Sequence, residues 1–244
     1  MLICWLTVRR SDVRRQQRAH RGQVCLLLVL SLLSPMSYGS GTATAGGGED
    51  ARGNAVKAKL LDGGVAVGTA GTTDGSAAWL SRSDFDFLLF DCQHHPLGQA
   101  AGDDIKQLGP VIASMAGQDT APIVRVGENR ADQICYALDA GAKGVVIPMV
   151  STRQQAEDAV QRCKYHPLGV RSNAGPRGDW GSQWTMDDPA GYRKWMDFFN
   201  EQILVLPMVE TVEALENIDE ICEATHLYTC CTDACQRARC HTHS

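Results

Sequence analysis

Three places in this sequence set side chains able to do chemistry at the ends of apolar runs. The first is Phe87-Leu88-Leu89-Phe90-Asp91-Cys92-Gln93-His94. A strand ending in Asp-x-x-His brings a carboxylate, Asp91, and an imidazole, His94, to one mouth, which suits proton relay because histidine titrates near neutral pH. The plainer use of the same pair is an Asp91 cap on the next helix and a His94 facing solvent. The second is Arg125, which closes Ala121-Pro122-Ile123-Val124-Arg125. A guanidinium there can grip an anionic or enolate oxygen through charged hydrogen bonds worth about 1.5–3 kcal/mol, or serve a structural ion pair. The third is Glu210, after Leu204-Val205-Leu206-Pro207-Met208-Val209. Its carboxylate can ligate a hard cation, or simply favour the first turn of the helix that follows.

The elements that must position these groups alternate between strand and helix. Short continuous apolar runs predict strands over Val65–Thr69, Phe87–Asp91, Pro122–Val126, Gly144–Val150 and Ile203–Val209. Strands of that kind are covered on both faces, as in a parallel sheet. Helices are expected over Gly75–Ser81, Asp104–Met115, Ala131–Ala140, Thr152–Tyr165 and Thr211–Ile221, with Thr152 and Thr211 at their N-caps. This order predicts a parallel α/β architecture. Asp91, Arg125 and Glu210 all fall at carboxyl ends of strands, where a barrel gathers its site, and no Gly-rich phosphate loop follows any strand. The expectation is therefore an incomplete (β/α)₈ barrel.

The formal net charge of the 244 residues is -5. That gives no general attraction to nucleic acid or anionic lipid, so a small-molecule enzyme is the default. Residues 1–52 differ from the rest in composition. Arginines at 9, 10, 14, 15, 18 and 21 precede an apolar run from Val24 to Leu33 and small residues around Ser37 to Gly48. This is the order of a secretory signal, and the arginine excess also fits organelle import. The run is too short for a stable membrane span. Residues 1–52 are thus expected to be a targeting segment and linker, 53–223 the barrel, and 224–244 a Cys/His-rich tail. Of ten cysteines, Cys92, Cys135 and Cys163 read as buried thiols inside apolar or helical patterns.

Taken together, the motifs resemble those of the HpcH/HpaI aldolase (citrate-lyase-like) family. They are Asp91-Cys92-Gln93-His94, Val124-Arg125, Ile147-Pro148-Met149, Tyr165-His166-Pro167-Leu168-Gly169-Val170-Arg171 and Val209-Glu210-Thr211, in order. The resemblance implies a class II aldolase on a barrel of the phosphoenolpyruvate/pyruvate-binding type. Such an enzyme cleaves a 4-hydroxy-2-oxo acid to pyruvate and an aldehyde with a divalent metal, Mg²⁺ or Mn²⁺. Carried over by motif, Glu210 is a metal ligand, Arg125 stabilises the enolate oxygen, and His94 with Asp91 moves protons through water. Gln93 stands where some members carry an acid, and is assigned with Arg125 to substrate binding. Small-molecule partners, a 2-oxo acid and an aldehyde, follow, as does a homo-oligomer.

Beyond Ile221 the pattern departs. The family continues with a strand and a Gly-Pro-x-Asp-Leu motif carrying the second metal carboxylate. This chain instead runs from Cys222 into Cys230, Cys231 and Cys235 with no apolar strand, and Asp233 lacks that setting. Cys230, Cys235, Cys240 and His243 are chemically suitable ligands for a small zinc-binding or disulfide-bonded appendage, but the spacing fits no ordinary zinc motif, and an out-of-frame or alternative end is the preferred reading. Without closing strands the barrel is expected to leave exposed edges and to be a poor or inactive aldolase. Two alternatives stay open: a barrel that binds 2-oxo acids without cleaving them, and a malyl- or citryl-thioester lyase.

Overall fold

The computed structural model describes residues 3–8, 24–31, 53–72, 75–94, 104–175, 189–224 and 228–231. Its elements are β1 (Ile3–Val8), β2 (Val24–Ser31), α1 (Ala55–Leu61), β3 (Val65–Ala70), α2 (Ser76–Leu80), β4 (Phe87–Asp91), α3 (Asp104–Ala113) and β5 (Ala121–Arg125). They continue with α4 (Ala131–Asp139), β6 (Gly144–Ile147), α5 (Arg153–Cys163), α6 (Pro189–Gln202), β7 (Leu204–Val209), α7 (Val212–Glu216), α8 (Ile218–Glu223) and β8 (Tyr228–Cys231). Strands β3 to β7 pair in parallel and in chain order, forming a curled half-barrel. Helices connect them, as parallel pairing requires.

Alternation along these strands sorts the core into two layers. Phe87 and Leu89, Ala121 and Ile123, Val146, and Leu204, Leu206 and Met208 form one buried cluster. The residues that alternate with them, Leu88, Phe90, Val124, Val145, Ile147, Val205 and Val209, join the helices in another. The first cluster is the barrel interior, since successive strand residues face opposite ways. Val56 and Leu60 of α1 belong to it, so α1 stops the amino-terminal end of the barrel. Asn54 caps that helix, its side chain accepting from Lys57 N at 3.3 Å and donating to Lys143 O at 2.8 Å just before β6.

The set of elements differs from the one expected. Part of the segment read as targeting sequence pairs with the sheet: β1 and β2 are antiparallel to each other, β1 lies antiparallel to β3, and β2 lies parallel to β8. The ring β1-β2-β8-β7-β6-β5-β4-β3 is closed, so the expected open edges of β3 and β7 are paired. The arginines from 9 to 21 and the small residues from 37 to 48 lie outside the described residues. The tail does carry a strand, β8, in register with β7 through Met208↔Cys230 and Val209↔Cys231. Ladder hydrogen bonds are made by the backbone, so an apolar search passes over such a strand. Asp233, Cys235, Cys240 and His243 lie outside the described residues. The helix expected over Thr211–Ile221 is two helices that meet at Asn217, whose side chain donates to Ser151 O at 3.0 Å.

Two buried lysines mark the opposite end of the barrel from the candidate site. Lys57 and Lys164 donate to the carbonyls of Glu201 and Asn200 in the last turn of α6, where positive charge complements the helix dipole. Burial first, and then the neighbouring Lys164 charge, push Lys57 from 10.5 down to about 7. Burial pushes Lys164 down to about 8. The unfolded chain keeps the Lys57 proton to about pH 10.5, whereas the folded chain releases it near 7. Between those values the unfolded state binds more protons, so stability rises with pH. The melting temperature of the wild-type chain, taken relative to Lys57→Met, is expected to climb from pH 6.5 to pH 9. A difference that stays flat or falls over that interval contradicts the burial of this ammonium group.

Candidate active site

The parity that defines the barrel interior carries directly into the functional residues. Positions 87 and 89 point inward and 91 follows them; 121 and 123 lead to 125; 204, 206 and 208 lead to 210. Asp91, Arg125 and Glu210 therefore continue the interior rows of β4, β5 and β7 to the carboxyl mouth of the half-barrel.

Asp91 and Arg125 stand opposite each other in the β4–β5 register, and their side chains form a fork. Arg125 Nε donates to Asp91 Oδ1 at 2.8 Å, and Nη2 donates to Asp91 Oδ2. Each side chain is 16% exposed. Asp91 Oδ1 also accepts from the backbone N–H groups of Gln93, at 3.0 Å, and His94, at 3.3 Å. Asp91 thus ties the turn after β4 to the end of β5. Such two-point pairing is geometrically selective as well as strong. It uses one edge of the guanidinium, and the two N–H groups of Nη1 are not needed for it. The Gln93 side-chain oxygen is buried with no hydrogen-bond partner. His94 is exposed and meets Asp91 through its backbone.

Glu210 belongs to a second group, two strands away. Its Oε1 accepts from Met149 N at 2.7 Å, from the loop after β6. Beside it Thr211 caps α7, accepting from Ala214 N at 2.9 Å, and exchanges a 2.7 Å hydroxyl hydrogen bond with Ser151. Among the described residues, no hydrogen bond joins the Asp91–Arg125 group to the Glu210 group. β6 lies between them, so at strand spacings of about 4.8 Å they stand roughly 10 Å apart across one mouth.

Two cavities lie elsewhere. One of about 10 Å³ is enclosed by Tyr165, Arg171, Trp195 and Phe199 among others, room for about one water. The other, of about 300 Å³, lies along α4 and the 170–172 segment. Neither includes a residue of the mouth, and interior parity locates the site better than cavity volume does.

Both oxygens of Asp91 serve Arg125, and among the described residues no three His, Cys, Asp or Glu side chains converge. Glu210 has one oxygen held by Met149 and the other not engaged by that bond. A hard divalent cation, if bound here, would have one carboxylate oxygen of Glu210, with water and a chelating substrate completing its shell.

A sequence model of HpcH/HpaI aldolase/citrate lyase proteins matches residues 69–231. The chain belongs to that family. The match includes every candidate residue at the mouth and runs through β8, past the boundary at Glu223 expected from sequence. The chain is 36% identical over 142 residues to a hydroxypyruvate/pyruvate aldolase of Rhizorhabdus wittichii, covering 58% of this chain and 51% of that protein. It is 31% identical over 172 residues to a 2-keto-3-deoxy-L-rhamnonate aldolase of Salmonella gallinarum, covering 70% and 60%. The chain thus spans between half and two thirds of the length of these curated relatives. A crystal structure of a HpcH/HpaI aldolase/citrate lyase family protein from Burkholderia cenocepacia shares the fold, with a TM-score of 0.59, 22% identity, and coverage of 73% of this chain and 68% of that one. Family membership agrees with the half-barrel. It leaves Met149, which sequence reading treated only as part of a motif, as a residue whose contact the structure adds.

Proposed function

We propose that this family member is a carbon–carbon lyase that cleaves a 4-hydroxy-2-oxo acid to pyruvate and an aldehyde with a divalent cation, Mg²⁺ or Mn²⁺. The observation that carries the reading is the shared interior parity of Asp91, Arg125 and Glu210 at one mouth, in a chain whose relatives are named as 2-oxo-acid aldolases. Glu210 would hold the cation, which when bound supplies a Lewis acid for the keto oxygen. Arg125, its fork fixed by Asp91, presents its remaining N–H groups to the oxygen on which enolate charge develops. That is the kind of preorganised donor that acts where charge appears in the transition state. His94, exposed at the rim, takes the proton of the C4 hydroxyl through water as the carbon–carbon bond breaks and the aldehyde leaves, and returns it through water to C3 of the enolate to give pyruvate. Asp91 then acts mainly by holding Arg125, because its oxygens already accept four hydrogen bonds. The buried oxygen of Gln93 is suited to accept from a substrate hydroxyl or a bound water.

The test is pyruvate release from 4-hydroxy-2-oxo acids, followed by NADH consumption with lactate dehydrogenase. Turnover is expected with added Mn²⁺ and is expected to fall to background with a chelator. Thermal stabilisation by pyruvate without any product from a panel of such substrates contradicts cleavage and favours a barrel that only binds 2-oxo acids. Competition by malyl- or citryl-thioesters favours the thioester lyase.

A further inference from the structure

We infer that Met149 is the positioning residue for Glu210, its backbone N–H selecting which carboxylate oxygen is left for the cation. The inference rests on the metal reading above and deepens it. Met149 has φ +57°, and among the described residues it is the one non-glycine in the left-handed region. That conformation crowds the Cβ of any L residue and persists only where the surroundings over-determine it. Burial of the side chain is not the cause, because Met149 is 57% exposed.

The backbone on both sides is pinned instead. Ile147 pairs with Pro207 in the β6–β7 ladder, and Val150 N donates to Met208 O at 3.3 Å. Ser151 is held by its N–H to Gln155 Oε1 at 2.7 Å, by its hydroxyl to Thr211, and by its carbonyl to Asn217. Between these anchors the chain has only Pro148, whose ring fixes its φ, and Met149 in which to reverse, and the left-handed turn at Met149 aims its N–H at Glu210 Oε1, 2.7 Å away. A carboxylate held by one oxygen offers the other in a fixed direction, as partners behind metal ligands commonly arrange. The outcome is a monodentate Glu210 whose orientation depends on the strained loop after β6.

The experiment replaces the N–H by an ester oxygen and keeps every side chain. In the full chain, the amide at Met149 is replaced by an ester through incorporation of the corresponding α-hydroxy acid, and Mn²⁺ binding is titrated by electron paramagnetic resonance without substrate. The same replacement at Val150, whose N–H serves the loop and not Glu210, is the control, and Glu210→Gln marks the loss of the ligand itself. The Met149 ester is expected to weaken Mn²⁺ binding about 10- to 100-fold, with the Val150 ester close to wild type and both esters melting near one another without metal. Equal weakening in the two esters overturns the inference, since any damage to the loop would then suffice. An unchanged affinity in the Met149 ester, with Glu210→Gln weakened, also overturns it and leaves the metal reading standing. If Glu210→Gln binds Mn²⁺ like wild type, the metal reading itself fails.

Discussion

Arg125→Lys is expected to lower kcat/KM for a 4-hydroxy-2-oxo acid by about 100- to 1000-fold, the usual cost of losing one donor aimed at a developing oxyanion. A lysine keeps the charge but not the plane. Arg125 meets Asp91 with Nε at 2.8 Å and with Nη2, and that two-point contact fixes where its third nitrogen points. An ammonium group on a flexible stem can satisfy Asp91 or the substrate oxygen, and nothing holds it to both. The loss is expected in kcat more than in KM, because the interaction strengthens as charge develops. Asp91→Asn should give a smaller loss in the same direction, since it loosens the fork without removing it. Steady-state kinetics of the two single variants and the double variant decide the matter. If Arg125→Lys retains activity within about threefold of wild type, Arg125 is a structural ion pair and not a participant. Additive losses in the double variant would show that Asp91 and Arg125 do not act as one unit.

This fork shows where sequence reading succeeds and where it stops. Asp91, Arg125 and Glu210 are legible because each ends an apolar run, and strand ends in parallel α/β folds collect function. Strands β4, β5 and β7 are legible for the same reason: a strand covered on both faces has no polar alternation to confuse it. What Asp91 does there is not legible. Its register partner on β5 is a tertiary fact, and a capping carboxylate and a proton carrier look alike in one dimension. Helix α6 escaped because Trp195 and Phe199 lie among Arg193, Lys194, Asp197 and Glu201, even though Asp188 before Pro189 is an N-cap signal. Strands β1, β2 and β8 escaped because an apolar run after arginines also reads as a signal, and because Thr229, Cys230 and Cys231 do not look like a strand. Ile147-Pro148-Met149 was noticed as a motif, but the left-handed φ of Met149 leaves no mark in the residue type.

The same limit applies to the Tyr165–Arg171 motif, whose spacing acquires a cause only in three dimensions. Gly169→Ala is expected to destabilise the fold by about 3 kcal/mol, the low end for breaking a buried ion pair, since the Asp139 partner of Arg171 stays 25% exposed. A Cβ at this position would stand 2.3 Å from Lys164 O and 2.4 Å from Gln161 O. Neither carbonyl can retreat cheaply, because Arg171 N donates to the first at 3.0 Å and Val170 N to the second at 2.8 Å. Opening the turn to admit a methyl group therefore displaces Arg171. Its side chain is 1% exposed, with Nη2 on Asp139 Oδ1 at 2.6 Å, and its guanidinium lies 4.7 Å from the Tyr165 ring centre and 4.6 Å from that of Phe199. Cation–π contacts in so dry a setting add about 2 kcal/mol, and Asp139 would lose its partner as Arg171 moves. At roughly 2–4 °C per kcal/mol for a chain of this size, the melting temperature should fall by about 10 °C. Arg171→Met should cost a comparable amount, and the double variant little more than either single one, because both changes remove the same contacts. A melting temperature within about 2 °C of wild type for Gly169→Ala would mean that the turn has room to relax, and the close approach of its carbonyls would then not explain the glycine.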